Sequence, residues 1–169
     1  MREIIRFAWG ISSLGDFVVA MSEKGLVALE FSSMHAVMED ALRIRFPEAE
    51  LERSEDGLAA VMEVVAGVID DPASDCGLPL DLRGTPYEVQ VWMMLREIPA
   101  GQTTSYGALA TKLGSRDPRE VTAAIANNPI AVIVPCHRVI KKDGSISGYR
   151  WGVRRKRALL AREQHGVER

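Results

Sequence analysis

An α/β first half joined to a mainly α second half is the fold class the sequence predicts. Three observations lead to it. Strand-like runs at Ile4 to Trp9, Asp16 to Ser22 and Leu26 to Ser32 sit close together, and Glu23-Lys24-Gly25 supplies a hairpin turn between the last two. From Arg83 onward the apolar spacing turns helical. The charge also changes sign along the chain: residues 1–81 carry six basic and sixteen acidic side chains, residues 82–135 five and four, and residues 136–169 ten and three. Two units follow, residues 1–83 as a small α/β domain and 84–169 as a domain for an acidic partner, since a basic stretch attracts a polyanion.

Within the first unit, two amphipathic helices follow the strands, over about 34–46 and about 55–70. Pro47 and Asp71-Pro72 stop them. Asp71 to Gly77 reads as a surface loop, and Leu78 to Leu82 as a returning strand. In the second unit Gly84-Thr85-Pro86 opens a helix to about Glu97, with Val89, Trp92, Met93 and Leu95 on its apolar side. Thr103 or Thr104 caps a short helix that Gly114 ends, and Asp117-Pro118 starts another that stops at Asn128-Pro129. Two short helices about a glycine turn form a helix-turn-helix pattern. Ile130 to Val134 is a buried strand candidate, Lys141 to Gly144 a turn, and Val153 to about Gln164 a basic helix.

At 169 residues, 47% hydrophobic and 26% charged, the chain reads as soluble and globular, with apolar runs too short to span a bilayer. Its first residues hold no apolar signal core. Cys76 and Cys136 give no disulfide framework, so a reducing, cytoplasmic home is expected. Zinc has no ligand set in two cysteines and three histidines (His35, His137, His165) without finger spacing, and neither metal nor cofactor is expected. A monomer is expected, because no seam of apolar residues marks an oligomer surface.

Cys136 follows an apolar run and precedes His137. A thiol beside an imidazole in basic surroundings can act as a nucleophile, while a buried structural cysteine would read the same way. The full string Pro135-Cys136-His137-Arg138-Val139-Ile140 resembles the active-site signature of the O6-alkylguanine-DNA alkyltransferases. Gly84-Thr85-Pro86-Tyr87, Val91-Trp92, Ile98-Pro99, Ser105-Tyr106, Asn128-Pro129 and Ser147-Gly148-Tyr149-Arg150-Trp151-Gly152 fall in the family's order. The last is most similar to the C-terminal domain of bacterial Ada proteins.

That resemblance implies an RNase H-like core for residues 1–83 and direct repair of double-stranded DNA bearing O6-alkylguanine (O4-alkylthymine also stays open), in the bacterial cytosol. Cys136 would accept the alkyl group irreversibly, His137 would serve as general base through a water, and Glu163 would orient the imidazole. Asn128 would tie the helix-turn-helix to the active-site turn. Ser105 and Tyr106 would meet the flipped nucleotide, with Tyr106 donating to the base. Val139, Tyr149 and the backbone of Arg150 would hold the guanine, and Arg119 would fill the vacated stack from the minor groove.

Two departures accompany it. The interval from Tyr106 to Arg119 is one residue short, which makes Arg116 the fallback finger. Glu120 and Thr122 stand on the DNA-facing helix where small residues are usual, and Glu120 is expected either to weaken DNA binding or to pair with Arg119 or Arg116. Trp151 is expected to narrow the pocket toward methyl groups. A non-enzymatic lesion recogniser, the C-terminal piece of an Ada-type regulator and a cysteine hydrolase stay open as other functions.

Overall fold

The computed structural model describes residues 2–115, 117–146 and 148–167. Arg116, the fallback finger, and Ser147 of the late string lie outside the described residues.

Strands β1 (Glu3–Ser12), β2 (Gly15–Met21) and β3 (Leu26–Phe31) form an antiparallel meander. β1 runs three residues past the expected Trp9, because Gly10 lets the Phe17 ring of β2 lie across it: an added Cβ there would stand 2.6 Å from that ring. Gly25 makes the β2–β3 turn at φ 152°, and a Cβ would meet the Pro79 carbonyl oxygen at 2.5 Å. A fourth strand, β4 (Ala49–Arg53), pairs parallel with β1, giving the order β3-β2-β1-β4. The sequence did not reveal it, because Glu50, Glu52 and Arg53 suit an exposed edge rather than a half-buried pleat.

Helix α1 (His35–Arg45) packs with Ile5, Phe7, Val18, Ala20 and Ala28 through Leu42. Helix α2 (Ala59–Asp70) brings Val65, Val68 and Ile69 to Phe17, Val19, Leu29 and Phe31. With both faces covered, all six residues of β3 are buried, and the strand is apolar at every position but Glu30. The larger cluster continues from Leu29 into Val91, Trp92, Val121 and Leu159 of the second half, so the two halves share a core. Emptying one such position, Leu29→Ala for example, would cost about 2–5 kcal/mol.

The second half holds α3 (Pro86–Leu95), α4 (Tyr106–Lys112), α5 (Pro118–Ala126) and α6 (Val153–Val167), making six α-helices among the described residues. Thr85 and Glu88 close a reciprocal capping box on α3. Its buried side is Val91, Trp92 and Leu95, whereas Met93 is 59% exposed; the helix is turned so that positions i, i+1 and i+4 face inward. Ser105, not Thr103 or Thr104, caps α4: it ends the two-residue parallel ladder of β5 (Thr104–Ser105) against β6 (Val139–Ile140), and its side chain accepts from the Ala108 amide of the first turn. Asp117 caps α5 by accepting from the Arg119 amide at 3.0 Å. Among the described residues, no helix is long and apolar enough to cross a membrane.

Two expected strands are corrected. Leu78 to Leu82 makes one bridge, Leu80 to Leu26, instead of a strand. Ile130 to Val134 is not a strand either. Ile130 bridges Leu29, and Ala131 donates to the Leu29 carbonyl at 2.8 Å. The chain then turns, with Val134 donating back to Ile130 at 3.2 Å. An apolar run announces burial without fixing its conformation.

Candidate active site

That buried turn sets the site. Val132 sits at φ 66°, a left-handed conformation costly for a β-branched residue, and it persists because Ile130, Ala131 and Val134 around it are fully buried. The chain leaves the turn in a short 3-10 segment, Cys136–Arg138, all three residues of which are buried. Asn128, fully buried at the end of α5, braces this turn: Nδ2 donates to the Val134 carbonyl at 2.9 Å and to the Cys136 Sγ at 3.2 Å, while Oδ1 accepts from the Ile130 amide at 2.9 Å.

Cys136 borders a cavity of about 550 Å³. Tyr106, Thr122, Ile125 and Ala126 from α4 and α5 form one wall, and Lys141, Gly148, Tyr149 and Arg150 the other. The volume suits a small aromatic ligand. Burial pushes the Cys136 thiol up to about 11, against the pull of the Asn128 hydrogen bond and of the Lys156 and Arg150 charges. The Tyr149 hydroxyl is enclosed without a hydrogen-bond partner, and burial, aided by Cys136, raises its pKa well above the ordinary value.

Behind the cysteine, His137 and Glu163 are both fully buried, with His137 Nε2 3.0 Å from Glu163 Oε2. The contact is close but not aligned as a hydrogen bond, and neither ring nitrogen has an aligned partner. Burial lowers the His137 pKa despite the carboxylate, so the ring is neutral at pH 7 and can accept a proton. Arg138 shares the same carboxylate: its Nε donates to Oε2 at 2.7 Å and its Nη2 also reaches that oxygen. Burial raises the Glu163 pKa, yet the close His137 ring and the hydrogen bonds from Arg138 outweigh it and lower the pKa below the ordinary value. Arg138 is further fixed by the carbonyls of Ile98 at 2.6 Å and Pro72 at 3.2 Å.

Cys136, Tyr106, Tyr149 and Arg150 therefore meet at the cavity, and Asn128, His137 and Glu163 brace it from behind. Other expected residues stand elsewhere. Ser105 accepts from the Ala108 amide at 3.1 Å as a cap, and Val139 is buried against Thr104. The Arg119 side chain is 91% exposed and grips its own cap residue, Nε to Asp117 Oδ1 at 3.0 Å and Nη2 to Oδ2 at 3.2 Å. Glu120 accepts from the Ser115 hydroxyl at 3.3 Å and not from Arg119, because adjacent residues on a helix do not face each other while the Asp117 cap carboxylate holds the guanidinium. Trp151 does not form the cavity wall. It is buried one layer back, edge-on to Tyr149 at 5.2 Å and 5.3 Å from the Arg150 guanidinium, and so acts on the cavity through those two residues.

Two residues escaped the sequence reading. Arg138 supplies the cation that pairs with Glu163 beside the neutral His137 ring. Lys156, 1% exposed, places a charge that favours the Cys136 thiolate. Lys156, Leu159 and Glu163 lie three and four residues apart on one stripe of α6, and two charges in an apolar stripe are the signal that could have revealed the lysine.

A buried cysteine at a cavity of this size, backed by a histidine and a carboxylate, defines a protein built to expose one thiol to one enclosed ligand. Residues 86–165 match the family described as the 6-O-methylguanine DNA methyltransferase, DNA binding domain. The chain is 40% identical over 166 residues to the bifunctional transcriptional activator/DNA repair enzyme Ada of Escherichia coli, covering 98% of this chain and 47% of that protein. It is 35% identical over 162 residues to the inducible methylated-DNA–protein-cysteine methyltransferase of Bacillus subtilis, covering 92% and 89%. The structure of Mycobacterium tuberculosis OGT in complex with DNA superposes with a TM-score of 0.77 at 31% identity, over 95% of this chain and 94% of that one. The chain belongs to the methylated-DNA–protein-cysteine methyltransferase family. It spans about half the length of the Ada proteins it matches, 47% of each.

Proposed function

We propose that this chain repairs alkylated DNA by moving the alkyl group from O6 of guanine to Cys136, once per molecule. The observation that carries the reading is the Cys136 sulfur, held by Asn128 beside a base-sized cavity between Tyr106 and Tyr149.

A thiol with a pKa of about 11 is ionised in roughly one molecule in ten thousand at pH 7, so attack needs a base. His137, buried and neutral, takes the Cys136 proton through a bridging water, while Glu163 supports the imidazolium that forms. The sulfur then attacks the alkyl carbon, the carbon–O6 bond breaks, and its electron pair passes to the guanine. Tyr106 donates to the base and so eases its departure. No step cleaves the resulting thioether, which makes the transfer stoichiometric.

The base reaches the cavity by leaving the duplex, and α4 and α5 act as a helix-turn-helix in the minor groove. Arg119 fills the gap after releasing Asp117, and Ser105 places α4 and hence Tyr106. Val139 and the Arg150 backbone hold the guanine edge, with Tyr149 beside it. Residues 1–83 form an RNase H-like scaffold, a reading supported by the β3-β2-β1-β4 order, and residues 84–169 carry the DNA contacts and the acceptor. The working form is a monomer in the cytosol, bound to double-stranded DNA.

Intact-protein mass after incubation with duplex DNA containing O6-methylguanine tests this. A gain of one methylene mass, limited to one equivalent and absent in Cys136→Ala, is the expected result. Binding of that duplex without a mass gain would favour lesion recognition without chemistry.

A further inference from the structure

β3 holds one charged residue, Glu30, at 1% exposure among apolar neighbours that are themselves buried. A carboxylate so placed is hard to explain by stability alone, because an apolar residue of similar volume usually serves a core as well or better. Its two oxygens face two arginines from different parts of the chain. Arg45 at the end of α1 lies 2.7 Å from Oε2, and Arg150 at the cavity lies 2.9 Å from Oε1. The same Arg150 guanidinium donates through Nη1 to the Asn128 carbonyl at 2.8 Å and lies 5.3 Å from the Trp151 ring centre. Asn128 in turn holds the Cys136 sulfur at 3.2 Å. An unbroken set of contacts thus runs from the sheet of the first half to the acceptor sulfur.

We infer that Glu30 is a positioning residue for the transfer reaction: it anchors Arg150, which joins the 148–150 wall of the cavity to the Asn128–Cys136 turn. These two segments are 12 or more residues apart in sequence, and Arg150 to Asn128 is a direct hydrogen bond between them. Without the carboxylate the guanidinium loses the anchor that fixes its plane. The Asn128 carbonyl, and with it the carboxamide on the sulfur, then moves relative to the bound base. Small misplacements of reacting atoms are costly even when the altered residue is remote. This inference rests on the alkyl-transfer reading above.

The test is single-turnover methyl transfer from O6-methylguanine duplex at several DNA concentrations, well below the melting point of every variant. Glu30→Gln is expected to lower the saturating rate constant by roughly ten- to a hundredfold with the half-saturating DNA concentration unchanged. Arg45→Met, which removes the other partner of the same carboxylate, should melt earlier yet keep the wild-type rate constant. Glu30→Gln combined with Arg150→Gln should be no slower than Arg150→Gln alone, since both act through one link. A folded Glu30→Gln protein that transfers at the wild-type rate, or effects that multiply in the double variant, would overturn the inference. If Glu30→Gln does not fold, the double variant against Arg150→Gln gives the same comparison. Wild-type protein that gains no methyl group would instead strike at the alkyl-transfer reading itself.

Discussion

The Asn128 carboxamide donates to the Cys136 sulfur at 3.2 Å and to the Val134 carbonyl at 2.9 Å. One buried side chain thus fixes both the Cys136 sulfur and the turn that presents it. Asn128→Ala leaves the Ile130 amide without its partner in the core and the Val134 carbonyl with the Cys136 amide alone. It should lower unfolding free energy by about 3 kcal/mol in urea titrations and slow methyl transfer at least tenfold. A variant of wild-type stability would show that the turn holds without it.

The raised thiol pKa predicts an alkaline loss of stability. The folded protein keeps the Cys136 proton up to about 11, whereas the ordinary value is 9.0. Stability from this group is therefore fully present below pH 9 and is lost as pH rises toward 11, by about 3 kcal/mol in all. Urea midpoints measured from pH 8 upward should fall more steeply for wild type than for Cys136→Ala. Parallel curves would count against a buried neutral thiol.

His137 gives the opposite limb. Its pKa is lowered in the folded state from an ordinary 6.5, so its contribution is present above pH 6.5 and is lost as the pH falls. As the proposed base, it should also be worth roughly a hundredfold or more in rate, a loss that His137→Phe would reveal at neutral pH in a single-turnover assay. Retention of the wild-type rate would assign the proton to another group.

Glu163 faces the neutral His137 ring and the Arg138 cation. Glu163→Gln strands a buried guanidinium and should cost about 3–5 kcal/mol, read as a shift in the urea midpoint. Arg138→Met in the same background should recover part of that loss, because it removes the stranded charge. No recovery would mean that the Ile98 and Pro72 carbonyls satisfy Arg138 on their own.

Lys141 borders the cavity mouth and Lys142 is exposed beside it. If both meet phosphates, Lys141→Glu with Lys142→Glu should weaken duplex binding and flatten the dependence of log affinity on log salt by about two. An unchanged slope would place the DNA on another face.

How far the sequence foretold this arrangement depended on the range of the interactions. The caps at Thr85 and Asp117 and the stop at Asn128-Pro129 were legible because they are set by neighbours a few residues away. β4 was not, since its partner Glu3–Phe7 lies more than forty residues earlier and its own side chains are mostly charged. Ile130 to Val134 announced burial but not its turn. At the site, Cys136 and His137 stood out as a pair, whereas Glu163 looked like any helix charge until the family resemblance gave it a place. Arg138, Lys156 and Glu30 were invisible because a lone charge in a sequence reads as solvated. Only the packing shows each of them inside.

The bridges from Leu29 to Ile130 and from Leu26 to Leu80 have a consequence for solubility. β3 and β4 are the outer strands of the sheet, and an open strand edge invites pairing between molecules. β4 guards its edge with Glu50, Glu52 and Arg53, but β3 is wholly apolar apart from Glu30 and has no such charges to spare. Its edge is closed by backbone from Pro79 to Asp81 and from Pro129 to Ala131, the latter being the first stretch of the turn that carries Cys136. Damage to that turn therefore opens a sticky seam as well as a catalytic fault. Variants that loosen it should accumulate in the pellet, and a screen for inactive protein in the soluble fraction alone would miss them.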